Sequence, residues 1–251
     1  MLHHPTVEKL QALRFTGMAQ ALTEQMAITD IEELSFEERL GLLIDREMTS
    51  REDRRLQSHL RRARLRHHAC IEDIDYRPSR GLDKSLMLNL AQCLWIKQHL
   101  NVLITGPTGV GKTWTACALA HKACREGFTA HYLRLPKLLQ ELPIAKGDGT
   151  YAKLLTRLAK IEVLILDDWG LSKLVAEQPR DLLEILEDRY DSRSTIVTSQ
   201  LPVDQWHHFI GDPTLADAIM DRLVHNAYKI NLKGESMRKR KTQLTAPEGA
   251  E

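Results

Sequence analysis

Apolar residues recur at helical spacing through the first 68 positions. Val7, Leu10 and Leu13, then Met18, Ala21, Leu22 and Met26, keep helical spacing, with Gly17 as a weak point. Ser35-Phe36-Glu37-Glu38 has the pattern of a capping box, and Leu40, Leu43, Ile44 and Met48 follow it as the stripe of a second helix. A third helix is expected from about Ser50, carrying Leu56, Leu60 and Leu65 among arginines. Three such helices predict a small all-helical N-terminal domain over 1–68. The stretch 69–81, with Tyr76-Arg77-Pro78-Ser79-Arg80-Gly81, reads as a linker.

Beyond the linker the period changes. Short β-rich runs at 101–105, 128–133, 162–167, 195–199 and 228–232 alternate with helical patterns at about 112–126, 136–142, 150–160, 178–191 and 213–225. Strands joined by helical crossovers predict a three-layer α/β domain around a five-stranded parallel sheet, spanning 82–245. Residues 246–251 are expected to be a flexible tail.

Composition narrows the class without naming a function. With 251 residues, 43% hydrophobic and 27% charged, the chain is neither disordered nor fibrous. A chain of this size buries ~70–75% of its unfolded surface. No apolar run approaches the ~18–20 residues of a membrane span, and the N-terminus lacks the apolar centre of a secretory signal. The four cysteines form no C-x-x-C pair. A cytoplasmic location with no membrane partner is expected.

The net charge of +1 hides an uneven distribution. Arginines 51, 54, 55, 61, 62, 64 and 66 stand against only Glu52 and Asp53, and Lys233, Arg238, Lys239, Arg240 and Lys241 form a second run. Such segments suggest that part of the surface meets a polyanion.

The chemistry concentrates at Gly106-Pro107-Thr108-Gly109-Val110-Gly111-Lys112-Thr113, a full G-x-x-x-x-G-K-[ST] phosphate loop between a strand and a helix. Its glycines let backbone N–H groups turn toward phosphate oxygens, and the helix that follows presents its positive end. Lys112 would reach the β- and γ-phosphates, and the Thr113 hydroxyl would ligate Mg²⁺. Fifty-five residues after Lys112, the strand Val163-Leu164-Ile165-Leu166 ends in Asp167-Asp168. Asp167 would hold the metal and Asp168 would polarise the hydrolytic water, although Glu is the usual second acid. Ser199 and Gln200 close the fourth strand, where they would sense the γ-phosphate or are ordinary strand-end residues. Arg222 suits a finger inserted into a neighbouring subunit's site, or else a surface pair with Asp221. Arg238 would reach the γ-phosphate from the C-terminal side, or simply belongs to the basic run.

Together these residues resemble the initiator and helicase-loader branch of the AAA+ ATPases, the DnaC-like group, and most of all the IstB-like helpers of insertion sequences. The resemblance covers nearly the whole chain. It includes Leu34-Ser35-Phe36-Glu37-Glu38-Arg39-Leu40, the arginine-rich third helix, Arg80-Gly81-Leu82-Asp83, Asp167-Asp168-Trp169-Gly170-Leu171, Thr198-Ser199-Gln200-Leu201-Pro202 and Asp221-Arg222-Leu223. In DnaC-like relatives Asn often stands where Gln200 stands here, whereas their double acid agrees with Asp167-Asp168. The resemblance implies an AAA+ fold and ATP with Mg²⁺ as cofactor. It also implies a homo-oligomer on duplex DNA and recruitment of an IstA-like transposase. It further implies a DNA-facing helix within 136–160, which holds Lys137, Lys146, Lys153, Arg157 and Lys160.

Arg54, Arg55, Arg61 and Arg62 are the other DNA candidates. Their spread around the helix fits DNA phosphates, a transposase face or a neighbouring subunit, with largely sequence-independent contact as the default. The paired histidines diverge by ~100° on a helix, which argues against any metal beyond the nucleotide's Mg²⁺. A replicative helicase loader is the rival reading. A metabolic phosphate-loop kinase would leave Arg222 and Arg238 without partners.

Overall fold

The computed structural model describes residues 4–28 and 31–237, so Arg238, Lys239, Arg240, Lys241 and the expected tail lie outside the described residues. The chain forms two compact units, Met1–Ser58 and His59–Glu251.

The first unit is helical, but its helices divide differently from the pattern. The first apolar stripe is split into α1 (Pro5–Ala12) and α2 (Thr16–Met26), with Arg14 at φ 62° between them. The second and third expected helices are one, α3 (Phe36–Ala63), whose last residues, 59–63, belong to the second unit. No proline lies between 36 and 63, and the Glu, Leu and Arg that fill this stretch all favour helix, so nothing stops it at Ser50. Its start is the expected capping box: Ser35 N–H donates to Glu38 Oε2 at 2.8 Å, and Glu38 N–H to Ser35 Oγ at 3.3 Å.

Gly17 is a packing requirement rather than a weak point. A Cβ there would lie 2.7 Å from the Arg46 carbonyl oxygen and 2.8 Å from Glu47 Cα, so only glycine lets α2 and α3 approach this closely. Phe15 gives α2 no side-chain cap. Glu47 supplies one from α3, accepting from Gly17 N–H at 2.7 Å and Met18 N–H at 3.2 Å. This satisfies two of the orphan donors that every helix start carries.

The second unit holds α4 (Lys84–Ala91), α5 (Leu94–Lys97), β1 (Asn101–Thr105), α6 (Lys112–Arg125), β2 (Ala130–Arg134), α7 (Leu135–Asp148) and α8 (Tyr151–Lys160). It continues through β3 (Val163–Trp169), α9 (Gln178–Glu187), β4 (Ser194–Ser199), α10 (Trp206–Ile210), α11 (Pro213–Val224) and β5 (Ala227–Asn231). The five strands pair in parallel in the order β2-β3-β4-β1-β5. Leu103, Leu164, Leu166 and Val197 share a core with α7 to α11. The alternate residues Val102, Ile104, Val163, Ile165 and Ile196 are buried as well, facing the layer of α6. This is the three-layer α/β sheet expected.

Three local outcomes differ from the pattern. The helix expected to end before Pro143 runs on to Asp148, because Leu138, Leu139, Leu142 and Ala145 are buried along one side of it. Helices α4, α5 and α10 carry too few residues to show a period. The stretch 69–81 is not a loose linker: Ala69, Ile71, Ile74 and Arg80 are buried. Arg80 donates to the carbonyls of Asp75 and Val110, both at 2.9 Å, which ties the stretch to the phosphate loop.

Candidate functional site

The site forms at the C-terminal ends of β1, β3 and β4, beside the strand where the chain changes direction across the sheet. The loop 106–111 leaves β1 and opens α6. Gly106 sits at φ 142°, and a Cβ there would lie 2.2 Å from the Leu232 carbonyl oxygen. Gly109, at φ 85°, would collide with Ser236 Oγ at 2.2 Å. The loop is therefore closely approached on both sides, by the Leu232 backbone at Gly106 and the Ser236 side chain at Gly109. Met237 N–H donates to the Gly109 carbonyl at 2.9 Å, so the chain leading to Arg238 docks on the loop.

Lys112 Nζ donates to the carbonyls of Gly106 and Pro107, both at 2.7 Å. Thr113 Oγ1 lies 2.9 and 3.1 Å from the two oxygens of Asp167. Asp167 is 1% exposed and is also met by the hydroxyls of Tyr132, at 2.6 Å, and Thr198. Burial and the bond to Asp167 push the Tyr132 phenol above its ordinary range, so it stays a donor.

A bulge aims the two acids. Leu166 pairs with Val197 and Trp169 with Ser199, so three steps along β3 match two along β4. Asp168 takes φ 63° there. Trp169 then packs against Trp206 and Phe209, with ring centroids 5.0 and 5.6 Å away, which anchors the strand end. Asp168 is held by Arg134 Nε at 2.7 Å.

The Ser199 hydroxyl donates to the Trp169 carbonyl at 2.8 Å and accepts from Leu201 N–H at 3.0 Å, so it secures the strand end. Gln200 is the residue that reaches the loop, its Oε1 accepting from Thr108 Oγ1 at 2.7 Å. Arg222 is paired with Glu187 and lies 3.5 Å from Asp221 Oδ2. Its carbonyl accepts from Asn101 Nδ2, at the N-terminal end of β1 and thus the far end of that strand from the loop.

Of the basic candidates, Arg54 is bound to Glu47 at 3.4 Å, and Lys146 to Asp181 and over the Tyr151 ring. Arg55, Arg61, Arg62, Lys137 and Lys153 are exposed, Lys137 lying 3.8 Å from Glu141. Lys153, Arg157 and Lys160 line a groove of about 670 Å³ between α7 and α8. Tyr132, Arg134, Thr198 and Arg66 belong to the site yet are not among the candidate site residues read from the sequence. Only the register of β2 against β3, Arg134 beside Asp167, would point to the second of these.

A glycine-shaped loop, a lysine at its helix start and a hydroxyl paired with a strand-end carboxylate fit a nucleotide's phosphates and their Mg²⁺. Fold and site thus define an AAA+ phosphate-loop protein. The family model described as IstB-like ATP binding protein matches residues 8–245, and the chain belongs to that family. The insertion-sequence ATP-binding protein y4pL of Sinorhizobium fredii is 55% identical over 239 residues, covering 95% of this chain and 98% of that one. The ATP-binding protein of insertion sequence IS21 from Pseudomonas aeruginosa is 34% identical, covering 92% and 86%. Among solved structures, the DnaC helicase loader aligns with a TM-score of 0.54 at 19% identity, covering 66% of this chain and 97% of that one. DnaA from Aquifex aeolicus with AMPPCP bound aligns at 0.57 and 16%, covering 75% and 58%. These two likenesses are of fold.

Proposed function

We propose that this chain is a cytoplasmic ATP·Mg²⁺ hydrolase that assembles as a homo-oligomer on duplex DNA and helps an IstA-like transposase engage its target. The supporting observation is the meeting of Lys112, Thr113 and Asp167 at one loop, in a chain whose relatives are insertion-sequence ATP-binding proteins.

Lys112 exchanges two loop carbonyls for phosphate oxygens, and Thr113 and Asp167 hold the metal. Bound there, Mg²⁺ supplies positive charge to the β- and γ-phosphate oxygens. Asp168 orients the attacking water once Arg134 lets it go, and Gln200 takes the sensing position expected of Ser199. Arg238 is retained as a γ-phosphate ligand, since the segment before it docks on the loop. Arg222 acts on a neighbour's nucleotide: β1 spans ~13 Å at ~3.3 Å per residue, too far for its side chain to cross to its own loop. Arg54, Arg55, Arg61, Arg62, Lys137, Lys146 and Lys153 remain the DNA candidates.

The test is electron microscopy and ATP hydrolysis with linear duplex DNA in the presence of no nucleotide, ADP or a non-hydrolysable ATP analogue. Regular multimers with the analogue alone, lost in Lys112→Ala, are expected. Arg222→Ala should bind nucleotide within about twofold of wild type and hydrolyse at least ~1000-fold more slowly, the low side of an arginine finger's worth. Normal hydrolysis by the assembled Arg222 variant sinks the finger. Capture of a hexameric helicase without assembly on DNA would turn the reading to a loader.

A further inference from the structure

Asp167 meets three hydroxyl donors, but these carry no net charge. The ion pair it makes is with Arg66, whose Nη1 lies 3.7 Å from Asp167 Oδ2. Arg66 also hydrogen-bonds the Tyr132 hydroxyl, which itself donates to the same carboxylate oxygen. The arginine comes from the short segment after α3, and that segment is pinned. His131 Nδ1 lies 2.9 Å from the Arg62 carbonyl, and His59 Nδ1 lies 3.0 Å from the Phe128 carbonyl. The backbone amides of Arg66 and His67 point at the Cys117 thiol on α6, and Ala63 and Ala69 are fully buried. The Arg66 side chain, 42% exposed, has room to leave.

A buried carboxylate without a compensating cation is costly, and this one sits where the nucleotide's divalent cation belongs. We propose that Arg66 is a positioning residue that supplies the positive charge at Asp167 in the metal-free site and withdraws when Mg²⁺·nucleotide binds. Arg66 and the metal therefore compete for one carboxylate. This rests on the reading of the site as an ATP·Mg²⁺ site.

The experiment is binding of fluorescent N-methylanthraniloyl-ADP to the full chain, titrated with MgCl₂ from an EDTA-treated start. It compares wild type, Arg66→Ala, Arg66→Gln and Arg66→Lys, with tryptophan-fluorescence melting confirming that each folds. The Mg²⁺ concentration at half effect should fall about three- to tenfold in the Ala and Gln variants, as expected for removal of one half-exposed competing charge. It should return toward wild type in Arg66→Lys. Hydrogen exchange in 59–68 should quicken in wild type when Mg²⁺ and nucleotide are added together. An unchanged half-point overturns the proposal, leaving Arg66 as a surface ion pair. A raised half-point with weaker nucleotide binding also overturns it, making Arg66 a nucleotide ligand. Failure of the wild type to bind Mg²⁺·nucleotide at all overturns the functional reading, and this proposal with it.

Discussion

Glu47 in the first unit and Asp167 in the second are both buried acids, 5% and 1% exposed, yet they are held by different kinds of donor. Glu47 accepts two helix-start amides and is gripped by Arg51 at 2.7 Å and Arg54 at 3.4 Å. Those amides are fixed in direction by α2, and Arg51 is further stacked over the Phe15 ring at 5.1 Å. Asp167 accepts from three hydroxyls, whose hydrogens rotate freely, and is ion-paired with one arginine at the long distance of 3.7 Å. The first arrangement closes a structure. The second can release its partners to a cation at small cost, because a hydroxyl finds another acceptor by turning one bond. Burial of a carboxylate alone does not separate a structural role from a ligand role; the mobility of its donors does.

The sharpest way to break this comparison is to neutralise each acid. Asp167→Asn should keep the fold, with the melting point within ~3 °C of wild type, since the amide oxygen still accepts on one side and the hydroxyls on the other can turn to accept from the amide N–H. Mg²⁺-dependent nucleotide binding should weaken at least ~100-fold, about 3 kcal/mol, as measured by fluorescent-nucleotide titration. Glu47→Gln should do the reverse. It strips the charge from a capped and ion-paired site, costing ~2–3 kcal/mol in the first unit, while nucleotide affinity moves less than twofold. All four tryptophans lie beyond residue 58, so their fluorescence reports the second unit and circular dichroism reports all helices. A Glu47→Gln transition seen early by dichroism but not by tryptophan would sharpen the contrast; a shift in both would erase it.

Gly17→Ala is a milder probe of the same contact. The added methyl meets backbone at 2.7 Å, and forcing the helices apart should cost ~1–3 kcal/mol in the dichroism-detected transition. Full stability of this variant would show that α2 and α3 do not depend on their close approach.

The smallest effect is on pH. Burial raises the Glu47 carboxyl, but the Arg51 guanidinium and the amides of Met18 and Gly17 outweigh it and hold the group below its ordinary 4.5. A lowered folded value means the stabilisation is complete above the unfolded value near 4.5 and is lost as pH falls through the folded one. Dichroism melting between pH 7 and pH 3 should therefore show an acid loss in wild type that flattens in Glu47→Gln.

The phosphate loop, the double acid and the five strands were legible in the sequence because each depends on residues close in the chain. A G-x-x-x-x-G-K-T run sets its own turn, and an apolar strand ending in Asp-Asp carries its period with it. The capping box at Ser35–Glu38 is equally local. The single long α3 was hidden because charged helix formers and a serine resemble a boundary when no breaker is present to decide. Tertiary structure alone decided that Gly17 is a contact and not a flaw, since its reason is the backbone of Arg46 and Glu47 some thirty residues away. It alone brought Gln200 to Thr108 and turned Ser199 onto the Trp169 carbonyl, because which strand-end side chain faces the loop depends on the pairing across β3 and β4. It alone brought Arg66, Tyr132 and Thr198 to Asp167, from three elements whose spacing in the chain carries no period that links them.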